Sequence, residues 1–271
     1  MIIDFHTHTF PDKVAVKAIP KLEKSASIKA FTDGTVNGLV DSMNENGIDF
    51  SVVVPVVTNP VKAEEINEYA AETNQTHKNV ISFGGIHPDT ENYKAVLKKA
   101  QGLGLKGIKL HPEFQYTDFD DIRYKRILYF AEELGLITLV HAGFDGSFPD
   151  SMHCGIKNIL NVIEEIGPKR LVLAHMGGCF LWKDVKKYIA GADVYFDTAF
   201  SFGKKQIVSG LLSEEEFIVL ARAHGMEKIL FGTDSPWGEQ GEMSEFIKNS
   251  ALTDGEKENI LYKNALKLLS D

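Results

Sequence analysis

The sequence predicts an α/β protein folded as a (β/α)8 TIM barrel, with residues 1–271 forming a single domain. Three observations predict this class. Short apolar runs rich in β-branched residues alternate with longer segments of helical period, which is typical of repeated βα units. Eight such runs follow one another, and this number favours a closed barrel over an open sheet. No Gly/Ser-rich linker, composition shift or block of charge marks a boundary between domains.

The composition is that of an ordinary globular protein, and it excludes several function classes. Hydrophobic residues make up 44% of the chain and charged residues 25%, as in soluble domains. The formal net charge is −9 and no basic run is present, so we expect no nucleic-acid partner. Apolar runs such as Val52–Val57 are far shorter than the roughly 18 residues of a membrane-spanning helix, so we expect no membrane partner. Two cysteines without CxxC spacing, and no secretory signal pattern, favour a cytoplasmic protein.

The predicted strands are short runs rich in Val, Ile and Leu. Such runs suit a parallel sheet, whose strands are buried on both faces. They are Ile2–His6, Phe50–Val56, Val80–Gly85, Lys106–His111, Ile137–Ala142, Leu171–His175, Val194–Thr198 and Ile229–Gly232.

Amphipathic segments between the strands are the predicted crossover helices. Two predicted helix starts carry a capping box, Ser213 with Glu216 and Thr253 with Glu256, in which the hydroxyl accepts from a free backbone N–H. The segment Thr253–Leu269 is predicted to be a terminal helix that packs on the barrel. The crossover helices are predicted at Ala63–Thr76, Tyr93–Leu103, Ile122–Leu134, Ile156–Ile166 and Glu214–His224.

Polar side chains stand where the predicted strands end. In a barrel of parallel strands the C-terminal ends meet at one face, and such folds carry their chemistry there. We therefore expect one site lined by His6, His8, Lys109, His111, His141, His175, Asp197 and Asp234.

The first strand ends in an HxH pair, His6 and His8. Residues two apart in an extended strand project to the same side, so both imidazoles can bind one ion. By itself such a pair is more often two surface or hydrogen-bonded histidines. Together with His141, His175 and Asp234 at equivalent strand ends, it offers the nitrogen and carboxylate ligands that suit zinc or a similar divalent ion. The sequence therefore predicts a metal site.

Five motifs resemble those of the amidohydrolase superfamily, and in particular its amidohydrolase-2 branch of metal-dependent hydrolases and decarboxylases. They occur in the family's order, and the similarity runs from residue 2 to the final helix. The motifs are Asp4-Phe5-His6-Thr7-His8, Gly107-Ile108-Lys109-Leu110-His111-Pro112, Val140-His141-Ala142-Gly143, Ala174-His175-Met176-Gly177-Gly178 and Gly232-Thr233-Asp234-Ser235-Pro236-Trp237. The resemblance implies that His6, His8 and Asp234 bind a first divalent ion, and that His141 is a metal ligand as well.

The resemblance leaves two residue roles and the number of ions open. The sixth-strand histidine, here His175, faces the substrate as a catalytic group in single-metal relatives and binds the second ion in two-metal relatives. Lys109 resembles the carboxylated lysine that bridges two ions in some members of the superfamily. The alternative is a free lysine that binds an anionic substrate group or a nearby carboxylate. We therefore expect one or two ions, with zinc as the predicted metal.

Four further residues have two interpretations each. His111 is predicted to contact substrate, or else to be a packed residue in a turn. Asp197 can orient His175 or cap the next helix. Phe144 and Trp237 are predicted to bind substrate, or else to plug the barrel mouth. The predicted pocket walls are the connections Thr9–Thr32, Phe144–Gly155 and Ser235–Met243.

These expectations combine into a metal-dependent hydrolase that cleaves a C–N or C–O bond of a small-molecule amide, lactone or ester with a metal-activated water. Asp234 is expected to move the proton of the water to the leaving group, and His175 or Lys109 to stabilise the oxyanion. The alternative is a metal-dependent non-oxidative decarboxylase of an aromatic or unsaturated carboxylic acid. The lack of an arginine at any predicted strand end favours hydrolysis. A barrel that only binds ligands is disfavoured because the ligand set is complete, and homo-oligomer formation is left open.

Overall fold

The computed structural model of the chain describes residues 1–206 and 208–270. Parallel strands form its centre, and each pairs with the next along the chain except where β3 gives way to β4. Those two segments continue one another on either side of Phe83, whose N–H donates to the carbonyl of Val53 at 2.8 Å. The segments therefore make up the eight strands of the predicted barrel. They are β1 (Ile3–Thr7), β2 (Phe50–Val53), β3 (Val80–Ser82), β4 (Gly84–Gly85), β5 (Gly107–Leu110), β6 (Ile137–Val140), β7 (Leu171–Leu173), β8 (Tyr195–Asp197) and β9 (Ile229–Leu230).

The barrel closes between its first and last strands. The N–H of Phe5 donates to the carbonyl of Phe231 at 2.7 Å, and the N–H of His8 donates to the carbonyl of Ser235 at 2.6 Å. Because β1 thereby pairs with the segment that follows β9, the sheet forms a cylinder. The C-terminal ends of all its strands meet at one rim, as the predicted fold class requires.

Helices connect the strands and cover the outside of the cylinder. None of those within residues 1–206 and 208–270 is long and apolar enough to cross a membrane. The α-helices are α1 (Asp12–Ala26), α2 (Val36–Asn46), α3 (Ala63–Thr76), α4 (Tyr93–Gly102), α5 (Ile122–Glu133), α6 (Ile156–Glu165), α7 (Trp182–Tyr188), α8 (Glu214–His224), α9 (Gln240–Asn249), α10 (Asp254–Glu258) and α11 (Asn264–Ser270).

Two layers of buried apolar side chains stabilise the barrel. Ile137 and Leu139 of β6 belong to a cluster that also contains Ala265 and Leu268 of α11. Val140, which points the other way from the same strand, belongs to the larger cluster that packs against the helices. Burial on both faces explains why the strands appear in the sequence as continuous apolar runs. The terminal helix packs on the barrel as predicted, with a π-helical turn at Asn259–Lys263 between α10 and α11.

Most strands are shorter than predicted, because the chain leaves the sheet where the polar rim begins. β7 ends at Leu173 rather than at His175. His175 and Met176 have φ angles of 60° and 53°, which lie in the left-handed region and cannot continue a strand. The rim histidines therefore lie on turns as well as on strands.

Two predicted loops are wrong in their secondary structure, and one of them, Ser235–Met243, runs into α9 at Gln240. The connection Thr9–Thr32 contains the 15-residue helix α1, whose Lys-rich sequence and internal Pro20 weaken the helical signal. Ala15 and Ile19, four residues apart, are its buried residues, so packing on one narrow face stabilises it.

Both predicted capping boxes are confirmed, with the Ser213 and Thr253 hydroxyls accepting from backbone N–H groups.

His224, the last residue of α8, is buried against the barrel. Its ring stacks on Phe196 with 3.5 Å between ring centroids. Nε2 donates to the carbonyl of Val194 at 2.9 Å, and Nδ1 accepts from the N–H of Gly191 at 3.3 Å. Only the neutral ring can make both contacts. Burial lowers the pKa of His224 to about 4.

We predict that His224 makes the fold sensitive to acid. The pKa of His224 is about 4 in the folded chain and near 6.5 in the unfolded chain. Between these two pH values the unfolded chain therefore binds a proton on His224 that the folded chain does not bind. The free energy of unfolding should therefore fall as the pH drops from about 6.5 to about 4. His224→Gln should flatten this dependence in urea unfolding, and His77→Gln, on the partly exposed end of α3, serves as the control. Identical pH profiles for His224→Gln and the unmodified protein would contradict the prediction.

Candidate active site

Barrel closure brings His6, His8 and Asp234 together at the rim. The Nε2 atoms of His6 and His8 lie 3.1 Å apart. Oδ1 of Asp234 lies 3.1 Å from Nε2 of His8 and 3.5 Å from Nε2 of His6. The N–H of Asp234 also donates to the carbonyl of His6 at 2.8 Å, so the backbones of the two ligand-bearing segments are joined directly. These are the three residues predicted to bind the first ion.

This donor set fits a divalent cation. Two ligands at about 2.0–2.1 Å from one tetrahedral ion stand roughly 3.3 Å apart, which agrees with the spacing of these atoms. Nδ1 of His6 donates to Oδ2 of Asp197 at 2.8 Å, which leaves a lone pair on Nε2 facing the other two ligands. Burial raises the pKa of Asp234, but the hydrogen bond from His8 and the nearby imidazoles outweigh it and lower this pKa to about 2. Asp234 is therefore an ionised ligand at neutral pH.

A second buried carboxylate, Asp4, joins β1 to the turn that carries Asp234. Its Oδ1 accepts from the N–H of Thr233 at 3.0 Å, and its Oδ2 accepts from the Thr233 hydroxyl at 2.6 Å and from Nε2 of Gln240 at 2.7 Å. These bonds hold Thr233, the residue before Asp234. Asp234 itself has a φ of 65°, which is uncommon for a residue with a side chain. Burial raises the pKa of Asp4 to about 7. Asp4 stands in the first of the five motifs, and no role was predicted for it from the sequence.

Lys109 points into the same cluster from β5. Its Nζ lies 3.1 Å from Nε2 of His6, and only 1% of the residue is exposed. Burial lowers the pKa of Lys109 to about 8, although the carboxylates of Asp234 and Asp197 act in the opposite direction. This position suits either predicted role, since a bridging carbamate and a free ammonium would both have to stand beside the metal ligands.

His141 and His175 face each other across the rim. Nδ1 of His141 lies 3.0 Å from Nε2 of His175, and Nδ1 of His175 is bonded to the carbonyl of Ala199 at 2.9 Å. In the described part of the chain, Nε2 of His141 is buried with no hydrogen-bond partner. Asp197 accepts the backbone N–H of His175 at 2.9 Å and binds the ring of His6 instead of the ring of His175. Asp197 therefore bonds to the backbone of His175 and not to its ring, whose Nδ1 is bonded to the carbonyl of Ala199.

His141 forms a second group with His111 and Asp145, whose potential ligand atoms lie within 4.8 Å of one another. The two imidazoles are stacked, with 4.3 Å between centroids and 8° between planes. Imidazole nitrogens direct their lone pairs in the plane of the ring, so two parallel rings cannot both point at one ion. This group is therefore a stacked pair beside a carboxylate. Burial lowers the pKa values of His111 and His141 well below the usual range.

Two carboxylates near His111 received no role in the sequence analysis. Asp145 follows β6, and burial raises its pKa to about 6. Glu113 is fully buried, where it accepts from the hydroxyl of Ser151 at 2.6 Å and from the N–H of His153. Glu113 thus attaches the Phe144–Gly155 connection to the segment after β5. The signal that could have revealed both residues is an acidic side chain within four positions of a rim histidine.

The two aromatic residues predicted to contact substrate, Phe144 and Trp237, lie on the connections that follow β6 and β9. Phe144 is half-buried and packs edge-on against Phe180, with 5.8 Å between centroids. The N–H of Trp237 donates to the carbonyl of Asp234 at 2.8 Å, and its side chain is largely buried. Substrate contact by Phe144, Trp237 and His111 stays a prediction.

Comparison with known proteins places the chain in a family. The sequence profile of the amidohydrolase family matches residues 3–270, and the chain belongs to this family. A search of the curated proteins found no match.

Solved structures share the fold over the full length. A protein from Staphylococcus aureus described as an amidohydrolase has a TM-score of 0.70 and 18% identity, with 100% of this chain and 99% of that chain covered. A 2,6-dihydroxybenzoate decarboxylase from Rhizobium has a TM-score of 0.73 and 14% identity, covering 99% and 98%. A dihydroxybenzoic acid decarboxylase from Polaromonas, with bound manganese, has a TM-score of 0.71 and 14% identity, covering 99% and 96%. These similarities confirm the TIM-barrel fold.

We predict that Asp197→Asn weakens divalent-metal binding about 10- to 100-fold, because His6 loses the carboxylate that directs its Nε2 toward the ion. Calorimetric titration of Mn²⁺ or Zn²⁺ into chelator-treated protein measures the affinity. Asp150→Asn, an exposed aspartate of the Phe144–Gly155 connection, is the matched control. If Asp197→Asn retains the native circular dichroism spectrum and the native metal affinity, Asp197 has no such role.

Proposed function

We propose that the protein is a metal-dependent hydrolase that cleaves a C–N or C–O bond in a small amide, lactone or ester. The observation that supports this most is the group formed by His6, His8 and Asp234 beside a buried Lys109. The group lies at the barrel rim where this fold carries catalysis. Membership of the amidohydrolase family agrees with the proposal.

A divalent ion held by His6, His8 and Asp234 would lower the pKa of water and polarise a carbonyl group. Asp234 then has the position and charge of a general base. Its low pKa keeps the carboxylate ionised, and its side chain is 14% exposed, so it can exchange a proton with a molecule in the mouth. Asp234 would take the proton of the attacking water and transfer it to the leaving group.

Lys109 is the better of the two candidates for stabilising the oxyanion. In the described part of the chain its only hydrogen-bond contact is Nε2 of His6, so other ammonium protons are free to donate to a substrate oxygen. His175 has its Nδ1 committed to the carbonyl of Ala199 and its Nε2 facing His141. His175 would therefore act on substrate only after the His141 contact opens.

Decarboxylation is the second candidate. Structural similarity to the decarboxylases from Rhizobium and Polaromonas favours it, as does the buried ammonium of Lys109, which could bind a substrate carboxylate. The arginines offer no such clamp in residues 1–206 and 208–270. Arg123 and Arg126 lie on α5, Arg222 lies on α8, and Arg170 bonds to carbonyls of Gly135 and Leu268.

The test is a substrate panel with metal analysis. Protein loaded with Zn²⁺ or Mn²⁺ is incubated with lactones, amides, esters and hydroxylated benzoic acids, and both hydrolysis products and CO₂ are measured. We expect hydrolysis, and we expect Asp234→Asn to reduce it by about 10²- to 10⁴-fold, while Asp150→Asn stays active. Metal content of each variant is measured by plasma emission. Turnover by metal-loaded Asp234→Asn at the native rate would refute the role of Asp234, and CO₂ release without hydrolysis would assign the second candidate.

A further inference from the structure

The segment that follows β5 carries an exposed tyrosine in an uncommon backbone conformation. Tyr116 has a φ of 48°, in the left-handed region that costs conformational energy for a residue with a bulky side chain. The residue is 73% exposed, so burial of its ring in the core does not offset this cost. Residues held in such conformations occur mainly at active sites and at segments that hold ligands. Tyr116 is therefore a candidate for ligand contact.

A buried neighbour fixes the position of Tyr116. The Nε2 of Gln115 donates to the carbonyls of Val57 at 2.7 Å and Ile86 at 2.8 Å. Its Oε1 accepts from the hydroxyl of Tyr124 at 2.6 Å. These bonds attach the segment to the connections after β2 and β4 and to α5. The turn that presents Tyr116 is therefore built into the barrel before any ligand arrives.

Two phenylalanines lie beside Tyr116, and we call Phe114, Tyr116 and Phe148 the outer aromatic cluster. The ring of Phe148 meets the other two rings edge-on, with 4.9 Å between its centroid and that of Phe114 and 5.7 Å to that of Tyr116. Phe114 and Phe148 are half-buried. Phe148 comes from the connection after β6, which the buried Glu113 attaches to the segment after β5 by accepting from the Ser151 hydroxyl at 2.6 Å. The cluster thus has one partly open side and a fixed frame.

The outer aromatic cluster is continuous with the histidines of the candidate active site. Phe114 meets the ring of His111 edge-on at 4.7 Å between centroids, and His111 is stacked on His141 at 4.3 Å. Nδ1 of His141 lies 3.0 Å from Nε2 of His175. The ring centroid of His175 lies 5.4 Å from that of His6. A row of rings therefore leads from the predicted metal ligands to the outer aromatic cluster.

We propose that the outer aromatic cluster is a substrate-binding subsite for an aromatic or other apolar group of the substrate. Ligand sites are lined mainly by apolar and aromatic side chains, and aromatic rings bind one another in edge-on or offset-stacked geometry. Because the cluster stands at the outer end of the row, the group that it binds lies away from the carbonyl at the metal centre. The inference rests on the proposed function and narrows its substrates to amides, lactones or esters that carry such a group.

Hydroxamates test the subsite, because their oxygens suit a bound Mn²⁺ while the rest of the molecule can be varied. Acetohydroxamate and a series of phenylalkyl hydroxamates of increasing chain length are titrated calorimetrically into Mn²⁺-loaded protein. Plasma emission measures the manganese content of each sample. We expect at least one phenyl compound to bind about tenfold more tightly than acetohydroxamate, because its ring is removed from water.

Substitutions then locate the bound phenyl group. Tyr116→Asn removes the ring and keeps a residue that adopts positive φ more readily, so it should weaken binding of that phenyl compound about two- to tenfold. Acetohydroxamate should bind this variant as it binds the unmodified protein. Phe148→Leu should also weaken only the phenyl compound, and Tyr116→Phe should preserve its affinity. Tyr129→Asn, which changes an exposed tyrosine of α5, is the matched control.

Several results would overturn the inference. The phenyl compounds would bind the unmodified protein no more tightly than acetohydroxamate, or no hydroxamate would bind at all. Tyr116→Asn and Phe148→Leu would leave the affinity of the phenyl compound unchanged, or Tyr116→Asn would weaken both kinds of probe equally. Altered light scattering by Tyr116→Asn with unchanged probe affinity would assign the cluster to contact between copies of the chain.

These measurements do not depend on turnover. An active hydrolase that binds all the hydroxamates equally lacks the subsite, whereas a protein that prefers the phenyl compounds but hydrolyses nothing lacks the proposed function. The two failures are therefore distinguishable.

Discussion

The closure of the barrel between β1 and the segment after β9 is the constraint on which the site depends. His6 and Asp234 stand 228 positions apart in the chain, yet a backbone hydrogen bond of 2.8 Å joins them. Any slip in this pairing would move the imidazoles of His6 and His8 away from the Asp234 carboxylate. Asp4 reinforces the same junction from inside the protein by accepting three hydrogen bonds from Thr233 and Gln240.

The site uses buried carboxylates for different tasks, and their hydrogen bonds distinguish them. Asp197 accepts a hydrogen bond from the ring of His6 and thereby orients this imidazole on β1. It also accepts from the backbone N–H of His175, just after β7. Among the described residues, Asp4 accepts hydrogen bonds only from neutral donors, and burial raises its pKa. Asp234 faces imidazoles, which lower its pKa. Environment therefore keeps Asp234 ionised, while it lets Asp4 take up a proton much more readily.

Charges of both signs stand at the rim beside the ligand group. Lys109 is the buried cation there, with its Nζ 3.1 Å from Nε2 of His6. Burial lowers the pKa of Lys109 to about 8, while the carboxylates of Asp234, Asp197 and Asp145 act in the opposite direction. A substrate at the rim would therefore meet a cation and several carboxylates within one small region.

The sequence by itself determined the eight-stranded barrel and most of the rim, because strand period and strand-end position depend on neighbours in the chain. It placed His6, His8, Lys109, His141, His175 and Asp234 at strand ends. It could not show that Asp197 bonds to the ring of His6, or that Asp145 comes beside His111. Those contacts join segments that only barrel closure and the bends after each strand bring together. Local pattern carries no information about such distances, so the tertiary structure alone decided them.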